Sequence, residues 1–179
     1  MTEFAARSLQ IVQGEFRVSS DPEEEMSTIL GSCIAACIWD EGCGIGGMNH
    51  FLLAQSLAPA SDGAAPRDNR YGVHAMEVLI NGLLRAGARR DALRAKLFGG
   101  AKISATLRDI GASNAAFARQ FLKTEGIPCI AESLGGQQAR RITFHPATGR
   151  ARQLLIPNEQ AQEPRPAPRP AARTNVELF

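Results

Sequence analysis

The chain has 179 residues, of which 44% are hydrophobic and 21% charged, and a formal net charge of +2 at neutral pH. That length holds one domain with a real hydrophobic core, or one domain and a tail. The charge is too small to make nucleic acid the main partner, and no apolar run approaches the roughly 20 residues of a membrane-spanning helix. The first ten residues lack a basic region followed by an apolar core, so no secretory signal is expected. A cytoplasmic protein with reduced thiols is the reading that follows.

Loose alternation predicts an early strand over 9–18, then an acidic solvated turn over 21–25. The run 27–40 is rich in isoleucine and small residues and predicts a strand buried on both faces. Asp40, Glu41 and Gly42 signal a turn, and 44–53 returns as the second strand of a hairpin. Residues 58–67, with Pro59, Gly63 and Pro66, form a loop able to lie over whatever the hairpin presents. Over 70–86, Val73, Met76, Leu79, Ile80, Leu83 and Leu84 fall on one face of an amphipathic helix, with Gly87 at its C-cap.

A short strand over 93–98 ends at Gly99 and Gly100, and a second helix over 114–125 stops at Gly126. Strands are predicted over 127–132, 140–144 and 150–156, the last two joined by a turn at 146–149. Strands around two helices point to a layered α/β or α+β fold rather than a bundle. From 157 the composition shifts to Pro, Ala, Gln, Glu and Arg. Such a segment buries too little apolar surface to offset chain entropy, so the expected organisation is a domain over 1–156 and a disordered tail over 157–179. The tail ends in Asn175, Val176, Glu177, Leu178 and Phe179, readable as a short docking peptide or as a frayed terminus.

The chemistry concentrates between Thr28 and His50. A cysteine and a histidine are the side chains from which a thiolate nucleophile and its base are built. Cys33 follows Gly31 and Ser32, whose backbone N–H groups have little steric cover and could bind an oxyanion. His50 follows Gly46, Gly47 and Asn49, which are placed beside the substrate. A third group should orient the imidazole, and Thr28 and Ser27 are the nearest hydroxyls in sequence.

Blander readings compete. A cysteine in an apolar strand is usually core, and Cys37, Cys43 and Cys129 are assigned to packing. Shared metal ligation by Cys33, Cys37, Cys43 and His50 is disfavoured, because four strand residues separate Cys33 from Cys37 by roughly 13 Å. Zinc needs each sulfur about 2.3 Å from one ion. His74 and His145 read as structural or exposed. The pairs Gly99–Gly100 and Gly135–Gly136 could line a cleft or simply make tight turns.

The sequence resembles the CheD family of chemotaxis proteins, the chemoreceptor glutamine deamidases. The resemblance is carried by L-G-S-C-I-A-A-C-I-W-D at 30–40, I-G-G-M-N-H-F-L-L at 45–53 and R-Y-G-V-H-A-M-E-V-L-I-N-G-L-L-R-A-G-A at 70–88. It continues through K-L-F-G-G-A at 96–101, I-G-A-S-N at 110–114 and L-G-G-Q-Q-A-R-R-I-T-F-H-P-A-T-G at 134–149. The resemblance implies a layered α/β sandwich of mixed sheets with flanking helices, similar to toxin deamidases. It also implies a cysteine hydrolase, without metal or cofactor, that converts receptor glutamines to glutamate. Carried over by motif, Cys33 is the nucleophile, His50 the base and Thr28 the orienting hydroxyl, with Ser27 as the competing position. Methyl-accepting chemoreceptors are the implied partners, with the CheC phosphatase as a further one. A non-catalytic regulator of CheC and a hydrolase of receptor methyl esters are the alternatives. Ser113 stands where the family often has arginine, and Ser133 where it often has aspartate.

Overall fold

The computed structural model describes residues 7–53, 67–103 and 110–161. The chain does not finish one sheet before starting the other. β1 (Arg7–Gln10) lies in a first sheet, β2 (Phe16–Ser19) in a second, and β3 (Glu24–Leu30) returns to the first. β4 (Ile34–Asp40) and β5 (Ile45–Asn49) form a hairpin in the second sheet. α1 (Arg67–Ala86), β6 (Arg94–Gly99), α2 (Ile110–Thr124) and β7 (Cys129–Leu134) extend that sheet and cover it. The hairpin of β8 (Ala139–His145) and β9 (Arg150–Ile156) then completes the first sheet.

The first sheet has the order β1-β3-β8-β9 and the second the order β2-β5-β4-β6-β7. Both are mixed: β1 runs parallel to β3, and β7 parallel to β6, while the other pairs are antiparallel. The expected layered sandwich of mixed sheets with flanking helices is what forms.

Two apolar layers hold it together. Ile34, Ala36 and Ile38 of β4 point toward the helices and meet Met76, Leu79, Leu83, Ala118 and Leu122. Their neighbours Ala35, Cys37 and Trp39 point the other way and meet Met26, Leu30, Ile142 and Phe144 of the first sheet. Period-two alternation with both faces covered explains why every residue of β4 is buried. α1 presents the expected face, with Met76, Leu79, Ile80 and Leu83 buried and His74 exposed.

Three sequence expectations change. The predicted strand over 9–18 is two strands in different sheets, separated by a turn at Gln13 and Gly14. The acidic segment over 21–25 is a turn only at its start, because Glu24 and Glu25 already belong to β3. The run 27–40 is not one strand but the end of β3 and all of β4, broken at Gly31, Ser32 and Cys33 where the chain crosses between sheets. Continuous apolar character hid that break: β3 buries alternate residues and β4 buries all of them.

Regular structure also continues past 156. Asn158 accepts a hydrogen bond from the Ala139 N–H at 2.9 Å and donates to the Gln137 carbonyl at 3.0 Å, opening a short 3-10 turn over Asn158–Ala161. The loop expected over 58–67 falls outside the described residues except for Arg67, which begins α1, and the tail from 162 lies wholly outside them.

Candidate active site

The hairpin register sets two members of the site. Cys37 faces Met48 and Ile34 faces Phe51, so His50 stands across from Ala35. Cys33, two residues before Ala35, is then a diagonal neighbour of His50 on the same face. Diagonal positions lie about 7–8 Å apart along the backbone, within reach of long or aromatic side chains. That face looks into the layer between the two sheets, where Cys33 is buried among Met26, Leu30 and Met48.

The third member comes from the other sheet. Met26, Thr28 and Leu30 are the inward residues of β3, and Thr28 is 2% exposed. Its Oγ1 lies 2.8 Å from His50 Nδ1 and donates to the Ile11 carbonyl at 2.6 Å. The hydroxyl proton is committed to that carbonyl, so Oγ1 meets the ring as an acceptor. His50 therefore carries its proton on Nδ1, and the lone pair resides on Nε2. Ser27 points to the opposite face, where its hydroxyl lies 3.4 Å from that of Ser8. Of the two hydroxyls considered, Thr28 is the one beside the ring.

Burial lowers the proton affinity of His50 to a pKa of about 4, with the Ile11 carbonyl pulling weakly the other way. The imidazole is thus neutral at physiological pH and able to accept a proton.

The loop carrying Cys33 is held from behind through its carbonyls. Gly31 O accepts from Ala101 N–H at 2.9 Å, Ser32 O from Asn114 Nδ2 at 2.7 Å, and Cys33 O from Gly100 N–H at 2.8 Å. Gly99 lies so close that a Cβ there would collide with the Cys33 carbonyl oxygen, on a backbone with φ +110°. The pair Gly99–Gly100 therefore braces the cysteine loop. Asn114 also accepts from Leu53 N–H at 3.1 Å, tying the strand end after His50 to the same side chain. Ser113, one of the departures from the family pattern, precedes it on α2. The other departure, Ser133, gives its carbonyl and hydroxyl oxygens to the buried Arg140, which also bonds the Gly135 carbonyl.

Other sequence candidates stand elsewhere. Asn49 accepts from Ala36 N–H at 3.0 Å and donates to the Ala75 carbonyl at 2.9 Å, which fastens the hairpin to α1. Gly46 lies against the backbone of Pro146, and Gly47 against Arg17 and Leu79; each is a close packing contact. Cys37 is fully buried, as assigned, but Cys43 and Cys129 are exposed, because one sits in the β4–β5 turn and the other begins an edge strand. His145 bonds the Pro22 carbonyl and the Thr148 hydroxyl, a structural tie. Among the described residues no group of three or more His, Cys, Asp or Glu side chains converges as a metal site would require.

Two residues escape sequence reasoning. Asn114 ends the I-G-A-S-N motif, which gives no sign of where its side chain reaches. Gln13, whose Oε1 is 3.6 Å from the Cys33 sulfur, lies in a turn with no motif of its own.

A buried thiol, a neutral imidazole and a hydroxyl bonded to that ring are the side-chain types from which a thiol hydrolase is built. The chain belongs to the CheD chemotactic sensory transduction family, whose model matches residues 52–153. The full length is covered by relatives as well. A Rhizobium leguminosarum bv. trifolii protein named "Probable chemoreceptor glutamine deamidase CheD" is 54% identical, with 100% of both chains aligned. One of the same name from Rhizobium meliloti is 51% identical over 99% of each chain. Among solved structures, a Neisseria meningitidis protein of the DUF152 family model is 14% identical, covering 83% of this chain and 74% of that one, with a TM-score of 0.48. No described helix is long and apolar enough to cross a membrane.

Proposed function

We propose that this chain is a chemoreceptor glutamine deamidase that hydrolyses receptor glutamine side chains to glutamate and ammonia through a thioester on Cys33. Full-length identity of about half to relatives bearing that name supports the activity and the substrate. The observation that carries the chemistry is the Ile11–Thr28–His50 chain of hydrogen bonds, 2.6 and 2.8 Å in its two links, which leaves the lone pair of a neutral imidazole on Nε2.

His50 Nε2 takes the proton of the Cys33 thiol, and the sulfur attacks the carboxamide carbon. Oxyanion stabilisation falls to N–H groups near Ser32 and Cys33, on a loop whose carbonyls are already fixed from behind. The imidazolium gives its proton to the leaving nitrogen, and ammonia departs. The now neutral imidazole takes a proton from water as its oxygen attacks the thioester carbon; the C–S bond breaks, glutamate leaves, and the proton returns to the Cys33 sulfur. Thr28 accepts from Nδ1–H throughout, so the ring keeps one tautomer and one orientation.

Incubating the protein with a cytoplasmic chemoreceptor fragment and mapping glutamines by mass spectrometry tests this reading. The expected result is conversion of amide to acid at selected glutamines, absent with Cys33→Ala. No conversion by the wild type, or equal conversion by the variant, rejects it. A CheC phosphatase is the second partner the family resemblance suggests; pull-down with the Cys33→Ala protein, which cannot turn over receptor, reads that association separately.

A further inference from the structure

The turn between β1 and β2 touches all three candidate residues. Ile11 O accepts the Thr28 hydroxyl proton, Gly14 N–H donates to His50 O at 2.8 Å, and His50 N–H donates to Glu15 O at 3.0 Å. Gln13 sits in the middle of that turn, with its carboxamide oxygen 3.6 Å from Cys33 Sγ. Its neighbours are thus tied by main-chain bonds to the histidine it flanks, and its side chain is aimed at the sulfur.

We propose that Gln13 is a further catalytic residue, whose carboxamide N–H stabilises the Cys33 thiolate and then the oxyanion formed on the substrate. The proposal rests on the deamidase reading above for the second of those roles only. In the resting state the thiol donates to Oε1, and a thiol is a weak donor. Once the proton has gone to His50, an amide N–H facing the thiolate makes a charge-assisted bond, which is the stronger of the two. Gln13 is exposed, and the torsion that carries its amide is soft, so turning it end for end exchanges Oε1 for Nε2–H at little cost.

The same group serves the next step without gaining or losing a proton. The sulfur lone pair forms the S–C bond, and the carbonyl π pair moves onto the substrate oxygen. That oxygen, bonded to the carbon under attack, develops next to the sulfur and within the sweep of the Gln13 amide. On collapse the C=O re-forms, the C–N bond breaks, and the leaving nitrogen takes its proton from His50 and not from Gln13.

The test uses the full chain with Gln13→Ala and Gln13→Glu. Alkylation of Cys33 by iodoacetamide, followed at the Cys33 peptide by mass spectrometry as a function of pH, reads the thiolate without any receptor. The half-point should move to higher pH in Gln13→Ala, and further in Gln13→Glu, where an anion faces the thiolate. On the receptor fragment, kcat of Gln13→Ala should fall about a hundredfold with KM nearly unchanged, the scale of losing one oxyanion donor. A turn that was merely structural would leave the alkylation profile in place, and that result overturns the proposal. So does Cys33-dependent conversion of Gln13 itself to glutamate in the wild type, which would make it a bound substrate rather than a donor. If the wild type leaves receptor glutamines intact while the alkylation shift persists, the deamidase reading fails and the thiolate role of Gln13 stands.

Discussion

Thr28 and His50 belong to different β-sheets, and the hydroxyl oxygen of one lies 2.8 Å from Nδ1 of the other. The link bridges the two sheets between buried side chains. Substitutions at Thr28 therefore test packing and chemistry together.

Thr28→Val keeps the shape and removes the hydroxyl, leaving the Ile11 carbonyl and the His50 Nδ1–H without their shared partner. Unfolding by urea should show a loss of about 1–3 kcal/mol, the cost of stranding buried polar groups. Deamidation should slow more than stability explains, because the ring loses its fixed tautomer. Thr28→Ser should recover most of both, while Ser27→Ala, altering the other face of β3, should change deamidation little. Equal damage from Ser27→Ala would reverse the assignment.

His50 imposes a pH dependence on stability. Its folded pKa of about 4 lies below the ordinary value of 6.5, because burial disfavours the cation. Between those values the unfolded chain binds a proton that the folded chain does not. Stability therefore falls as pH drops from about 6.5 to about 4 and is indifferent to this group below that. The contribution is on the order of 3 kcal/mol across the window. Denaturant unfolding at pH 7 and pH 4.5 should show a smaller loss in His50→Gln than in wild type; equal losses would contradict the buried neutral imidazole.

Asn114 braces the loop that carries Cys33 through the Ser32 carbonyl. Asn114→Ala frees the Ser32 carbonyl and the Leu53 N–H, which should cost about 2–4 kcal/mol of stability if neither finds water. The mark of a positioning role is a fall in kcat that persists at temperatures where the variant remains fully folded by circular dichroism. A variant with full kcat while folded would reduce Asn114 to scaffold.

Cys37, Cys43 and Cys129 should separate in reactivity. Cys43 and Cys129 are exposed, whereas Cys37 is fully buried and burial pushes its thiol pKa far up. Titration with a disulfide reagent should label Cys43 and Cys129 in the native protein and reach Cys37 only after denaturation. Native labelling of Cys37 would contradict the packing of the inter-sheet layer.

Much of the fold could be read in the sequence because its periodicities are local. The face of α1 from Met76 to Leu83, the turn after Asp40 and the hairpin around Gly149 follow from spacing and turn residues alone. The break between β3 and β4 could not be read that way, since strands buried on one face or two both look apolar where they meet. Nor could spacing say which sheet a strand would join.

The same division runs through the site. Residue order alone showed that the Thr28–His50 stretch holds a cysteine after Gly31 and Ser32 and a histidine that a hairpin could bring near it, because hairpin turns are signalled locally. It left Thr28 and Ser27 equivalent, since adjacent strand residues differ only in the face they take. The choice between them came when the first sheet packed its Met26–Thr28–Leu30 face onto the second. Gln13 and Asn114 depend wholly on that packing. One lies 20 residues from Cys33 and the other 82 from Ser32, distances in sequence that no local rule spans. Their contacts, 3.6 Å to the thiol and 2.7 Å to the Ser32 carbonyl, arise only where sheets and helix close on the same loop.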